Sequence, residues 1–270
     1  MKTFVVVAVV ILGGALAAYY YWQETLPEQQ TQPEPDAGEV TALPPPIAPP
    51  RPMLRQVVNV PKAKFPLPQL GESDSFMLEA LASVTGKESL MKIFRVELLI
   101  HNIVATIANL PNQGLPVNTM PVTPVPGNLV ASVADGEMSI SSKNAARYTP
   151  YVRLAGVMNT EKLVALYLRL YPLFQQSYEE LGYPNKYFND RLIEVIDNLL
   201  AAPDIKEPVK LVQPKIVYVY ADPDLEGRSI GQRILMRIGS ENEAKVKIKL
   251  QEIRQELFLH THEEEVNTAK

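Results

Sequence analysis

The chain has 270 residues, 46% of them hydrophobic and 21% charged, with a formal net charge of -4. So small a net charge argues against a nucleic-acid partner, which would call for a basic face. Cysteine is absent, and that excludes disulfides, thiol catalysis, cysteine-ligated zinc and a lipid-modified N-terminal cysteine together.

Lys2 precedes an uncharged run from Phe4 to Trp22, FVVVAVVILGGALAAYYYW. At 1.5 Å per residue such a run covers roughly 28 Å, about one hydrocarbon core. Tyr19, Tyr20, Tyr21 and Trp22 close it with rings that favour the membrane-water interface. No Lys or Arg follows until Arg51, while Glu24, Glu28, Glu34, Asp36 and Glu39 make the far side acidic. The positive-inside rule then puts the N-terminus in the cytoplasm and the rest of the chain outside it. Ala15-Leu16-Ala17 also has the small-x-small form of a signal-peptidase site, and cleavage there would release the domain. The length of the run and the rings after it favour an uncleaved anchor. Both readings export the domain.

Gln23 to Pro52 carries nine prolines and almost no large apolar side chain. Too little surface is available for burial to offset the entropy of ordering, so the stretch reads as a disordered, acidic, proline-rich linker. As a flexible coil it would reach roughly 30 Å.

Pro61, Pro66 and Pro68 keep the chain extended to Leu70. Ser73 or Asp74 can cap a short helix over Ser75 to Val84. Lys87 to Leu110 is apolar around most of a helical circumference and predicts a central core helix that Pro111 ends. Further prolines keep the chain irregular to Gly127. Asp135-Gly136 between two short strand-like runs predicts a hairpin. A helix or turn follows from Pro150 to Met158, and Thr160 can cap a helix to Leu181 that Pro172 interrupts. Asn189 can cap the next helix, which ends before Pro203. Val209 to Tyr220 is the best strand by composition. Asp222 opens a helix to Ile238, with Pro223 in its first turn. Ser240-Glu241-Asn242-Glu243 has the form of a capping box, starting a last helix to about Leu259.

The fold expected is mainly α, a helical domain with a few short strands and one hairpin, preceded by a single transmembrane helix. The units are 1–22 (cytoplasmic tip and anchor), 23–52 (linker), 53–259 (one helical domain) and 260–270 (polar, frayed tail).

Few of these residues point to chemistry. SVTGKES at Ser83 to Ser89 echoes a phosphate loop, but Leu81 stands where a glycine is needed and Glu88 where Ser or Thr would bind magnesium. His101, four residues after Glu97, reads as a structural histidine. His260 and His262 sit in a tail with nothing to fix them, so neither a metal nor another cofactor is expected. Arg147, Arg153 and Arg169, among tyrosines, read as partners in structural ion pairs.

The stretch Leu170 to Leu200 is more specific. Tyr167, Tyr171, Phe174 and Tyr178 are spaced i, i+4, i+7, i+11 and line one helix face, which reads as a core seam. Beyond it Tyr178, Tyr183, Tyr187, Asp190 and Glu194 form the expected exposed rim, a platform for a protein, glycan or peptide partner. Asp190, Glu194 and Asp197 present one carboxylate per turn and read as a wet face. A glycan hydrolase using Glu194 or Asp197 as acid/base, and a purely structural scaffold, are the alternatives.

ARYTPYVRL, LVALYLRLYPLFQQSYEELGYPNKYFNDRLIEVIDNLL and VKLVQPKIVYVYADPDLEGRSIGQRILMRIG, with NLP at Asn109 to Pro111 and PVTPVPG at Pro121 to Gly127, resemble a bacterial domain-of-unknown-function family, DUF3014. The resemblance runs from about Pro66 to Leu257. It implies a bacterial envelope protein anchored at its N-terminus, here in the inner membrane through residues 4–22 with the C-terminal domain in the periplasm. It implies no activity.

Overall fold

The computed structural model describes residues 66–85, 94–116, 119–123, 125–206 and 208–267. The expected anchor and linker, and the first part of the expected Lys87–Leu110 helix, lie outside these residues. Among the described residues no helix is long and apolar enough to cross a membrane.

Nine helices and four strands are described. After a 3-10 turn at Leu70–Glu72 they are α1 (Ser73–Thr85), α2 (Leu99–Asn109), β1 (Ala131–Ala134), β2 (Glu137–Ile140), α3 (Ser142–Ala146), α4 (Thr149–Gly156), α5 (Thr160–Glu180), α6 (Phe188–Leu200), β3 (Lys210–Val212), β4 (Val219–Tyr220), α7 (Pro223–Glu226), α8 (Ile230–Arg237) and α9 (Ser240–Asn267). The protein is mainly helical, as expected. α2, α5, α6 and α9 pack on one another around the main core. Asn159 caps α5 by accepting from Lys162 N–H at 2.8 Å, one residue before the Thr160 cap expected, and Pro172 lies within the helix.

The central helix is shorter than its apolar pattern predicts. Phe94 instead pairs as an isolated bridge with Val122, and Arg95 N–H donates to the Pro121 carbonyl at 2.9 Å. α2 begins only after Leu98, whose φ of 51° is left-handed. The Asp74 carboxylate makes that start tenable, accepting from Leu98 N–H at 2.8 Å and Leu99 N–H at 2.7 Å. A remote carboxylate thus caps the helix, and hydrophobic periodicity carries no trace of it.

The expected single hairpin is one of two. The Asp135-Gly136 turn joins β1 to β2 in the register Ala134↔Glu137, as anticipated. The strand read over Val209–Tyr220 folds back on itself, with Leu211 opposite Tyr220. Pro214 cannot donate to a sheet ladder, and Gln213 Nε2 donates to the Ile216 carbonyl at 2.9 Å across the turn. The result is an antiparallel sheet in the order β1-β2-β3-β4. It covers a small second core of Val209, Leu211, Tyr220 and Met236.

The helix read over Asp222–Ile238 divides into α7 and α8 at Gly227-Arg228-Ser229. The break frees the first N–H groups of α8 to donate outward: Ile230 N–H reaches Asn112 O at 2.7 Å and Gly231 N–H reaches Leu110 O at 3.0 Å. Orphan donors of one helix thereby meet orphan acceptors of another. A Cβ on Gly231 would lie 2.6 Å from Leu199 Cδ2 and 3.1 Å from Leu110 O, so the crossing needs glycine there. At α9 the expected capping box does not form. Glu243 is buried and pairs with Lys247 at 3.0 Å instead of reaching back to the helix start. The helix also continues past Leu259 to Asn267, where a frayed tail was expected.

The aromatic row is a core seam. Tyr167, Tyr171, Phe174 and Tyr178 are all buried, and Phe188 of α6 completes them, stacked on Phe174 with centroids 5.9 Å apart. Phe174→Ala should therefore cost about 3–5 kcal/mol, and Gly231→Ala about 1–3 kcal/mol through overpacking. Urea melts of both variants check this, and an unchanged midpoint for Phe174→Ala would remove the seam from the core.

Candidate functional site

The end of α5, the connection 181–187 and the start of α6 enclose an open cleft of about 390 Å³. Tyr178, Tyr183, Tyr187, Asp190 and Glu194 all line it, together with Asn185, Lys186 and Arg191. The residues singled out in the sequence thus come together around one concavity.

The cleft is built from the backbone outward. α5 ends because Gly182 takes a φ of +99°, which a side chain would oppose, and Gly182 N–H donates to Glu179 O at 3.0 Å. The chain then reverses, and Gln175 holds it. Its carbonyl oxygen accepts from Tyr171 O–H at 3.0 Å and from Phe188 N–H at 2.8 Å. Its amide donates to Glu179 Oε1 at 2.8 Å and to Lys186 O at 2.9 Å. One side chain therefore fixes the connection to the helix it leaves. Nothing in the sequence marks Gln175 for this task, since its partners lie up to 13 residues away.

The rings differ in role. Tyr178, expected on the exposed rim, is only 3% exposed. It belongs to the seam and also lines the cleft, and Tyr183 stacks on it with centroids 4.6 Å apart and planes at 15°. Lys186 also lies against the Tyr183 ring, 5.7 Å from its centroid. Tyr183 and Tyr187 are each 36% exposed, as a rim requires. Asn189, expected to cap α6, is buried in its first turn and accepts from the Tyr167 hydroxyl. The cap position falls to Tyr187, whose side chain makes no capping bond.

The carboxylate row is not a uniform wet face. Glu194 is exposed and pairs with Arg191 at 2.8 Å, while Arg191 also donates to Ala108 O at the end of α2. Asp190 is half-buried beside the seam. Asp197 is half-buried too, paired at 2.7 Å with Arg254 of α9, whose guanidinium lies 4.8 Å from the Phe258 ring centroid. Asp197 lines a separate open cleft of about 780 Å³ with Leu200, Arg254 and Phe258. Glu194 and Asp197 therefore open on different concavities, and each faces its own arginine.

The remaining polar residues sort in the same way. Arg147 binds carbonyls and an amide rather than an acid, donating to Asn144 Oδ1 at 3.0 Å and to Pro126 O at 3.0 Å. Arg169 lies 5.2 Å from the Phe76 ring centroid. His101 lines a third cleft with Asp74 and Leu98, away from the tyrosines. Among the described residues no group of three or more His, Asp or Glu side chains is placed to hold a metal ion.

Burial pushes the Tyr167 hydroxyl well above its usual range, with the Tyr171 hydroxyl and the Asp190 carboxylate adding to the effect. Tyr171 is raised likewise, first by burial and then by Asp190. Both hydroxyls stay neutral in the fold where free tyrosine would ionise.

The family model described as protein of unknown function (DUF3014) matches residues 99–254, more than half of the chain, so the chain belongs to that family. The match spans the whole tyrosine cleft. No curated protein and no solved structure matches the chain.

Two outcomes follow. Gln175→Ala strands the Phe188 N–H and should cost about 1–3 kcal/mol, with faster hydrogen exchange at residues 183–188 and unchanged exchange in α9. The buried tyrosines also set a high-pH limit. The unfolded chain releases their protons near pH 10 and the fold does not, so stability is full below about pH 10 and falls as pH rises beyond it. Urea midpoints at increasing alkaline pH check the sign, and Tyr167→Phe should flatten the decline.

Proposed function

We propose that this member of the DUF3014 family is a single-pass protein of the bacterial inner membrane whose periplasmic helical domain binds an envelope partner in the tyrosine cleft. The observation that carries the reading is the cleft itself, in which Tyr183, Tyr187, Asp190 and Glu194 converge on a connection held rigid by Gln175. A site fixed before its ligand arrives loses little entropy on binding, and tyrosine offers contact area at a cost of two torsions. The membrane part of the reading rests on the run Phe4 to Trp22 with Lys2 before it, and on the proline-rich linker after it. The hydrolase alternative loses support from the geometry, because Glu194 and Asp197 line separate clefts.

Alkaline phosphatase fused after Leu43 should be active and sediment with membranes. An inactive fusion rejects export, and an active soluble one shows cleavage. For the cleft, a photo-cross-linking side chain at Asn185 of the full chain in cells should give an adduct that the same group at exposed Val133 does not. Equal labelling at both positions, or none at Asn185, rejects the cleft as the binding surface.

A further inference from the structure

We propose that the ligand of the tyrosine cleft is an uncharged saccharide, stacked on Tyr187 and hydrogen-bonded by Asn185 and Glu194. The inference rests on the cleft being a binding site and adds the class of ligand.

Charge comes first. Lys186 and Arg191 balance Asp190 and Glu194 around the cleft, so no net field selects an ion of either sign. Arg191 is held by Glu194 and by the Ala108 carbonyl, and Lys186 lies against Tyr183. A phosphate or carboxylate ligand would have to draw Arg191 from Glu194 to gain a bidentate partner. A cationic ligand aimed at the Tyr183 ring would have to displace Lys186.

The rings supply the second argument. Tyr183 is stacked on Tyr178 and has Lys186 against it, so its faces are already occupied. Tyr187 is 36% exposed and lines the cleft. An exposed ring beside the cleft offers a flat, electron-rich face. The C–H face of a pyranose is flat, apolar and slightly positive, and it matches such a ring without bringing a charge.

Hydrogen-bonding capacity agrees. A sugar hydroxyl both donates and accepts. Asn185 can do both, while Glu194 accepts and keeps 53% of its side chain exposed despite its ion pair. Size agrees as well. The cleft, at about 390 Å³, falls at the small end of ligand clefts, about 300–1,000 Å³. A protein partner would need a footprint of about 800 Å² on this chain. A sugar unit or two fits the space better than a folded surface.

The test is calorimetric titration of the full chain, held in a micelle of a detergent without sugar head groups. The probes are the trimer of N-acetylglucosamine, maltotriose and, as a contrast, acetylated tri-lysine. At least one trisaccharide should bind saturably, with Kd on the order of 1 mM or below. Tyr187→Ala should weaken it at least about 10-fold, and Tyr187→Phe should hold it within about 3-fold, because the face and not the hydroxyl does the stacking. Circular dichroism melts should match across the variants, since the Tyr187 side chain makes no capping bond. Failure of both trisaccharides overturns the proposal, as does binding that ignores Tyr187→Ala. Tri-lysine binding that requires Tyr187 also overturns it. If the saccharides fail while the Asn185 cross-link persists, the cleft remains a binding site for another class of partner. If both fail, the site reading falls with the saccharide.

Discussion

Phe188 is the residue on which both the core and the cleft depend. It stacks on Phe174 and packs against Tyr167 and Tyr178, with centroids at 6.4 and 5.5 Å for the last two. α5 presents an aromatic stripe that must be covered, and Phe188, the first residue of α6, covers it. To bring it there the chain must reverse between Leu181 and Tyr187. That reversal, turned at Gly182 and tied by Gln175 to Lys186 O and Phe188 N–H, is the connection that lines the cleft. Stability and site therefore share contacts. The seam residues Tyr167, Phe174 and Phe188 are buried, whereas Tyr187, Asn185 and Glu194 line the cleft at the surface.

A second dependence centres on the end of α2. Its last carbonyls would be orphaned in the core, where unpaired polar groups are costly. Arg191 of α6 takes Ala108 O, Gly231 N–H of α8 takes Leu110 O, and Ile230 N–H takes Asn112 O just beyond. Two elements remote in sequence are thereby drawn to one helix end. Arg191 couples this junction to the cleft through its ion pair with Glu194.

The sheet is joined to the bundle by buried polar groups rather than by apolar contact alone. Asn144, fully buried, accepts from Val130 N–H and donates to Arg237 O, linking α3, the start of the hairpin and the end of α8. Tyr220 donates to Arg233 O at 2.7 Å, and Arg233 pairs with Glu226 at 2.7 Å. Burial pushes the Tyr220 hydroxyl up to about 12, the neighbouring Arg237 opposing the rise, so it remains a donor throughout the physiological range. Asn144 is bonded both as acceptor and as donor, which is what makes a buried amide tolerable.

Local signals in the sequence determined what local physics decides. The i, i+4, i+7, i+11 spacing of Tyr167 to Tyr178 made a buried stripe, Asp135-Gly136 made a hairpin, and Pro111 bounded a helix, because each rests on neighbours along the chain. The rim residues Tyr183, Tyr187, Asp190 and Glu194 were legible for the same reason, lying within one helix turn or loop of the seam. Tertiary structure decided the rest. Asp74 set where α2 begins, from 25 residues away, and Phe94 left a helix-like run to pair with Val122. Tyr178 moved from rim to core because Tyr183 folded onto it. Gln175 became the support of the cleft through partners beyond its own helix, and Asp197 parted from Glu194 to a separate cleft, where α9 brings it Arg254 while Glu194 keeps Arg191 of its own helix. Periodicity reports which face of an element is apolar. It does not report which remote group satisfies a helix end, a buried amide or a carboxylate, and those pairings are what shaped the site.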